Sequence, residues 1–385
     1  MAGMEICLLL LHSVLLHVAA ALVILLYIPL SAPVKLFLRV FVAPLRKEDL
    51  RGKVVLITGA SSGIGEELAY QYAKAGACLA LVARRERALE GVAAAALERG
   101  APDVLVFPAD VADPEQSRRA VEETVAHFGK LNHLVANAGV WSTCSFDQVT
   151  NITAFTKLMD VNFWGSVYPT YHALPHLKAT KGKLVVCSSA AGTVATSRMA
   201  FYNASKAAQL RFYETLRAEL GSEASKAAQL RFYETLRAEL GSEVGITILT
   251  PGYVESEMTK GKGIQKGGEL AVDEDARDAQ IGVFPVGRVE TLCEVALDGI
   301  RRGDWYVTWP SMYRPLQLMA CLAPELLTWV SHAMYKEEEE EEEEEGAKGR
   351  RWRRRRPLSQ RVLEATGAKK LLYPPSLLHP GIKTD

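Results

Sequence analysis

At 385 residues, 49% hydrophobic and 23% charged, the chain has the composition of one large folded domain with appendages. Its 45 Lys plus Arg balance 45 Asp plus Glu, which argues against the basic footprint of a nucleic-acid-binding protein. The six cysteines (Cys7, Cys78, Cys144, Cys187, Cys293 and Cys321) lack paired spacing, so a reducing compartment and no metal site are expected.

The first element is apolar. From Ile6 to Tyr27 no Asp, Glu, Lys or Arg occurs, and as a helix this stretch is about 33 Å long, enough to span a bilayer. "MAGME" offers no basic n-region, which disfavours a cleaved signal peptide. Pro29, Pro33 and Pro44 then punctuate a second greasy stretch in which Lys35 and Arg39 share a helical face, as in an interfacial segment. Residues 1–48 are thus expected to be a hydrophobic anchor with a proline knob. It is either a single span held by Arg39, Arg46 and Lys47 on the cytoplasmic side or a hairpin.

Residues 51–58, "RGKVVLIT", predict a buried parallel strand. "GASSGIG" follows and runs into a helical pattern closed by Gly76. In this strand, turn and helix the backbone of Gly59, Gly63 and Gly65 approaches a pyrophosphate, which the helix N-terminus faces. The next strand, "CLALVARR", ends on Ala83 and Arg84, with Arg85 behind, where an NAD enzyme usually presents an acid to the ribose; a guanidinium there favours the 2′-phosphate of NADP. Asp110 ends a third strand, and "HLVANAG" is a fourth, finishing on Asn137, Ala138 and Gly139.

A fifth strand ends at Ser188 and Ser189, and thirteen residues beyond Ser189 stands Tyr202, followed four later by Lys206. On a helix that spacing places both on one face, one turn apart. A phenol is a poor base at neutral pH, and a neighbouring ammonium together with a cationic nicotinamide is expected to draw its pKa down. Ser189 can then hydrogen-bond the substrate oxygen, and Asn162 in "MDVNFWGS" is a candidate to hold a relay water.

These motifs, TGASSGIG, NAG, Ser189 and YNASK, resemble those of the short-chain dehydrogenase/reductase family over about residues 49–300. "NFWGSVY", "FYNASKAA", "ITILTPGYVESEMTKGK", the apolar N-terminus and the terminal "LYPPSLLHPGIKTD" look more narrowly like the plant steroleosins, oil-body relatives of 11β-hydroxysteroid dehydrogenases. The resemblance implies an α/β, Rossmann-type doubly wound parallel sheet over 49–310 with a helical extension at 311–336. It further implies NADP(H) or NAD(H) as cofactor, a lipophilic substrate of the steroid class, a homodimer, and a catalytic domain facing the cytosol from a lipid droplet or the endoplasmic reticulum. Ser189, Tyr202 and Lys206 would inherit the catalytic roles, Ser189 and Tyr202 also touching substrate, with Asn162 in support. Gly59, Ser61, Ser62, Gly63, Ile64, Gly65, Arg84, Arg85, Asp110, Asn137, Ala138, Gly139, Tyr202, Lys206, Pro251 and Gly252 would inherit the cofactor contacts. One departure is Ala136, where the family often carries a further Asn.

Other lipid alcohols, such as a retinoid or fatty alcohol, and a non-catalytic coat role remain competing readings. The segment from Tyr253 to about Val286, which should shape the substrate pocket, is polar and glycine-rich rather than diagnostic of a ring system.

Two further features are unusual. Residues 204–223 recur letter for letter at 224–243, but Ser222 stands where a second Tyr would be needed before Lys226, so catalysis is assigned to the first copy. The second copy is expected to be a dispensable insert. Nine glutamates (Glu337 to Glu345) and the arginine-rich run at 350–356 make 337–385 read as a charged, largely disordered tail.

Overall fold

The computed structural model of the chain describes residues 2–37, 41, 47–220, 244–335, 338–342 and 351–378. The duplicate at 224–243 lies outside the described residues. Two units are present, residues 1–48 and residues 49–385. In the first, helices Ala2–Leu22 and Ile28–Phe37 flank a π-helical turn, Val23–Tyr27. The stretch Leu11–Val34, 24 residues of mean hydropathy 2.4, is long and apolar enough to cross a membrane.

The second unit is built on parallel strands β1 (Val54–Thr58), β2 (Cys78–Ala83), β3 (Val104–Pro108), β4 (His133–Ala136), β5 (Lys183–Cys187) and β6 (Gly245–Pro251). A short antiparallel pair, β7 (Lys262–Ile264) and β8 (Leu270–Val272), precedes the last sheet strand, β9 (Tyr306–Trp309). The seven-stranded order is β3-β2-β1-β4-β5-β6-β9. All five residues of β1 are buried, as expected of a strand covered on both faces.

Alternation along the strand divides the core. Val55 and Ile57 pack with Leu68, Tyr72 and Leu89 on one face, where Cys293 and Leu297 also lie. Val54 and Leu56 pack with Val121, Leu177 and Tyr213 on the other. The helices therefore sort by face, with Gly63–Lys74, Glu86–Glu98 and Val289–Arg302 on the first side. Pro114–Phe128, Gly165–Thr180 and Ala200–Leu220 cover the second. Local chemistry sets their ends: Asp113 caps Pro114–Phe128 by accepting from the Glu115 and Gln116 amides, and Gly129 closes it at φ +74°. Chain order reverses between β1 and β4, and the crevice at that switch point is where open α/β sheets bind ligands.

The C-terminal part departs from the tail expected over 337–385. Helix Leu358–Thr366 and the short helices Lys369–Leu372 and Pro375–Leu378 fold onto the domain. There Leu363, Tyr373 and Leu377 form a buried cluster with Ile281 and Val286. Tyr373 donates to the Gly282 carbonyl at 3.2 Å, and Ser359 to that of Ala279 at 2.8 Å. Strand Glu338–Glu342 also pairs antiparallel with Arg351–Arg355.

Candidate active site

The switch-point crevice opens into a cleft of about 490 Å³. Its floor is the glycine turn. Gly59 has φ +66°, and a Cβ there would stand 2.8 Å from Ala138 Cα; on Gly65 it would stand 2.3 Å from the Gly59 carbonyl oxygen. Only glycine permits this approach between the turn, the helix beginning at Gly63 and the end of β4.

Asn137 fastens the two strands. Its amide donates to the carbonyls of Thr58 and Gly59 at 3.0 and 3.2 Å, while Thr58 Oγ1 accepts from the Asn137 and Ala138 amides. Its side chain thus holds the crevice rather than reaching across it. Ser61, Ser62, Gly63, Ile64, Ala138, Gly139 and Asp110 line the cleft, whereas Gly65 does not. Ser62 is the N-cap of Gly63–Lys74 but makes no side-chain capping bond. An open helix N-terminus, a glycine floor and two serines suit the diphosphate of a dinucleotide, so the residues present fit an NAD(P) cofactor.

The two arginines differ. Arg84 is exposed at the cleft edge, and Arg85 turns inward, donating to Ser61 Oγ and Ser62 Oγ at 3.1 and 2.9 Å and pairing with Glu257 at 2.7 Å. Arg85, placed behind Arg84 on sequence grounds, is the one that touches the turn.

Helix Ala200–Leu220 presents a stripe of buried residues, Tyr202, Ser205, Lys206, Gln209, Leu210 and Tyr213, at helical spacing. Tyr202 and Lys206 thereby face the cleft together with Ser189, which follows β5. Ser189 hydrogen-bonds Tyr202, and its oxygen accepts from the Ala191 amide at 3.1 Å. Lys206 Nζ donates to the Cys187 carbonyl at 2.9 Å and to Gln209 Oε1 at 3.2 Å. Burial pushes the Tyr202 phenol up to about 12, against the bond from Ser189, which lowers it. Burial likewise brings Lys206 down to about 8. The expectation that the lysine draws the phenol down is therefore not met by the protein alone: desolvation dominates, because the lysine is itself buried and turned to main-chain and amide acceptors.

Asn162 lies behind this wall, fully buried, on a π-helical turn at Asp160–Trp164. The wider turn aims its amide at the strand end: Oδ1 accepts from the Val140 amide at 2.8 Å, and Nδ2 donates to the Val140 carbonyl and Ser205 Oγ, both at 2.9 Å. With these bonds it braces the loop after β4 against the helix that carries Tyr202 and Lys206.

Pro251 and Gly252 end β6 at the cleft, and the Pro251 carbonyl accepts from Ser189 Oγ at 3.4 Å. Gly252 makes room for a ring, since a Cβ there would fall 1.9 Å from Tyr313 Cε2. Beyond it the cleft turns apolar. Val140, Trp141, Val194, Met199, Phe284, Leu316, Leu327, Val330 and Met334 form its walls, with the phenols of Tyr253, Tyr313 and Tyr335 among them. Sequence reasoning placed Tyr253 and Phe284 within the segment expected to shape the pocket and named none of the others. They come from segments far apart in the chain, and the only local signal was the aromatic density of "WYVTWPSMY".

Known proteins agree with this geometry. The short chain dehydrogenase family profile matches residues 53–223. The 11-beta-hydroxysteroid dehydrogenase A of Arachis hypogaea is 46% identical over 341 residues, covering 89% of each chain. The 11-beta-hydroxysteroid dehydrogenase 1A of Arabidopsis thaliana is 44% identical over 349 residues, covering 91% of each. A solved short chain dehydrogenase/reductase from Burkholderia phymatum, in complex with NAD, shares the fold at a TM-score of 0.60 and 22% identity, over 72% of this chain and 96% of its own. The chain therefore belongs to the short-chain dehydrogenase family, with plant 11-beta-hydroxysteroid dehydrogenases among its relatives, and is an NAD(P)-dependent oxidoreductase acting on CH–OH groups.

Proposed function

We propose that the chain is an NADP-dependent hydroxysteroid dehydrogenase, interconverting a sterol hydroxyl and ketone. Residues 1–48 hold it on a lipid-droplet monolayer or the endoplasmic reticulum membrane, with its catalytic domain in the cytosol and its partner a second copy of itself. One observation carries the chemistry: Ser189, Tyr202 and Lys206 meet where a glycine-floored polar cleft joins an apolar one. The 24-residue apolar stretch and the names of the plant relatives support the anchor and the substrate class.

A bound nicotinamide supplies or accepts the hydride. The protein's own groups handle the substrate oxygen and its proton. Ser189 Oγ, fixed by the Ala191 amide, hydrogen-bonds that oxygen, while Tyr202 Oη takes the proton from an alcohol or returns it to a ketone. Lys206 stands one helical turn away, but in the protein alone burial outweighs it and holds the phenol in its neutral, proton-donating form. Asn162 keeps the loop and helix in register, and the apolar wall excludes water and takes up the lipophilic body of the substrate.

The test is turnover of NADPH and NADP⁺ with a steroid panel, compared between the natural chain and Tyr202→Phe. Equal rates for the two proteins would sink the catalytic assignment. Turnover of retinoids or fatty alcohols in preference to steroids would replace the substrate class. Flotation with lipid droplets, lost on removal of residues 1–48, tests the anchor, and the mass of the purified particle tests the dimer.

A further inference from the structure

Glu257 is an acid at the phosphate end of a nucleotide cleft. The segment that carries it leaves β6 and crosses back over the glycine turn, so closely that a Cβ on Gly63 would lie 3.4 Å from Ser256 Cβ. From there Glu257 reaches Arg85 Nη1 at 2.7 Å with one carboxylate oxygen and Lys262 Nζ at 3.2 Å with the other. Arg85 also donates to Ser61 and Ser62. Both members of the Arg85–Glu257 pair keep only 17% of their side-chain surface exposed, and both line the cleft.

Arg85 follows the C-terminal end of β2, the place in this fold that faces the adenosine ribose, and a guanidinium takes a phosphate monoester in a two-pronged bond. Here the guanidinium is already held by a residue 172 positions away. A carboxylate and a phosphate dianion beside one another repel, so they compete for it.

We propose that Glu257 is a placeholder anion. It holds Arg85 over the glycine turn and yields it to a ribose 2′-phosphate, thereby setting how strongly the site prefers a 2′-phosphorylated nucleotide over its unphosphorylated counterpart. Lys262 gives the released carboxylate a partner to keep. The idea rests on the reading of the cleft as a nucleotide site.

Isothermal titration of the full chain with 2′-phospho-ADP-ribose and with ADP-ribose reads affinity without turnover. Glu257→Gln is expected to tighten the phosphorylated ligand about 3- to 10-fold, the worth of one partly screened ion pair, and to change ADP-ribose by less than about 2-fold. Glu257→Ala should do the same, and an unchanged ADP-ribose affinity certifies that either variant is folded. In an Arg85→Gln background the selective gain should vanish. Equal changes for both ligands, no change, or a selective gain that survives Arg85→Gln would overturn the placeholder role. A natural chain that binds neither ligand would overturn the nucleotide reading and this proposal with it. A chain that binds ADP-ribose but shows no selective effect of Glu257 removes the placeholder alone.

Discussion

Replacing Lys206 by Met should change stability in a way that depends on pH with a definite sign. The lysine is buried, and burial holds its pKa at about 8 in the folded chain against 10.5 when unfolded. Below about pH 8 both states carry the proton, and the folded state bears the full cost of the desolvated ammonium. Between about 8 and 10.5 the unfolded chain keeps a proton that the folded chain has released, so the stability of the natural protein rises with pH through that window. The gap corresponds to about 3 kcal/mol. Methionine carries no charge and so lacks this gain, but it also forfeits the bonds to the Cys187 carbonyl and Gln209 Oε1, about 1 kcal/mol each. The variant is therefore expected to be more stable than the natural chain by about 1 kcal/mol at pH 7 and less stable by about 2 kcal/mol at pH 10.5. Urea unfolding of nucleotide-free protein, followed by tryptophan fluorescence at both pH values, measures this difference; all other titrating groups are common to the pair. A difference that stays constant within about 0.5 kcal/mol would refute the argument that desolvation sets this lysine.

Three more outcomes follow from the same geometry. Tyr202→Phe should lower kcat by about a thousandfold with a far smaller effect on nucleotide affinity, because only the phenol oxygen is removed; steady-state kinetics and titration check the two halves. Gly65→Ala places a methyl 2.3 Å from the Gly59 carbonyl oxygen and 2.5 Å from Asn137 Nδ2, and should cost about 3 kcal/mol of stability and at least about tenfold in nucleotide affinity, read by unfolding and titration. Leu377→Ala removes a fully buried side chain from the cluster around Ile281 and should cost about 2–3 kcal/mol. It should also raise KM for the lipophilic substrate without moving nucleotide affinity, since its neighbours support the substrate side.

The nucleotide half was legible because its signals are local. Gly59, Gly63 and Gly65 sit within seven residues, and Tyr202 and Lys206 within five, so spacing alone carries the geometry. The complete burial of β1 was accessible for the same reason, and the parallel sheet came with the family resemblance. The substrate half depends on contacts between distant positions, such as Gly252 with Tyr313 and Ser197 with Ser331. No periodicity announces such pairs. Asn162 was found as a residue, but its bracing role rests on a π-turn that "MDVNFWGS" does not signal. The packing of 358–378 was missed because the strongly charged run before it set the reading, although ten of its 21 residues are apolar. Leu363, Tyr373 and Leu377 are enough only once Ile281 and Val286 are in place. Tyr202 shows the limit of arguing from proximity, since a nearby lysine does not lower a phenol that burial raises more.

Because the C-terminal helices cover Ile281 and Val286, the order of synthesis matters. Residues 49–220 emerge early and contain β1 to β5 with the helices between them. The cover supplied by Leu363, Tyr373 and Leu377 is made last. A chain growing at about 5–20 residues per second therefore spends several seconds with a nucleotide half ready to fold and a substrate half whose lining lacks its backing. Its apolar N-terminal helix has by then long left the ribosome. The nucleotide half can therefore fold before the C-terminal helices cover Ile281 and Val286.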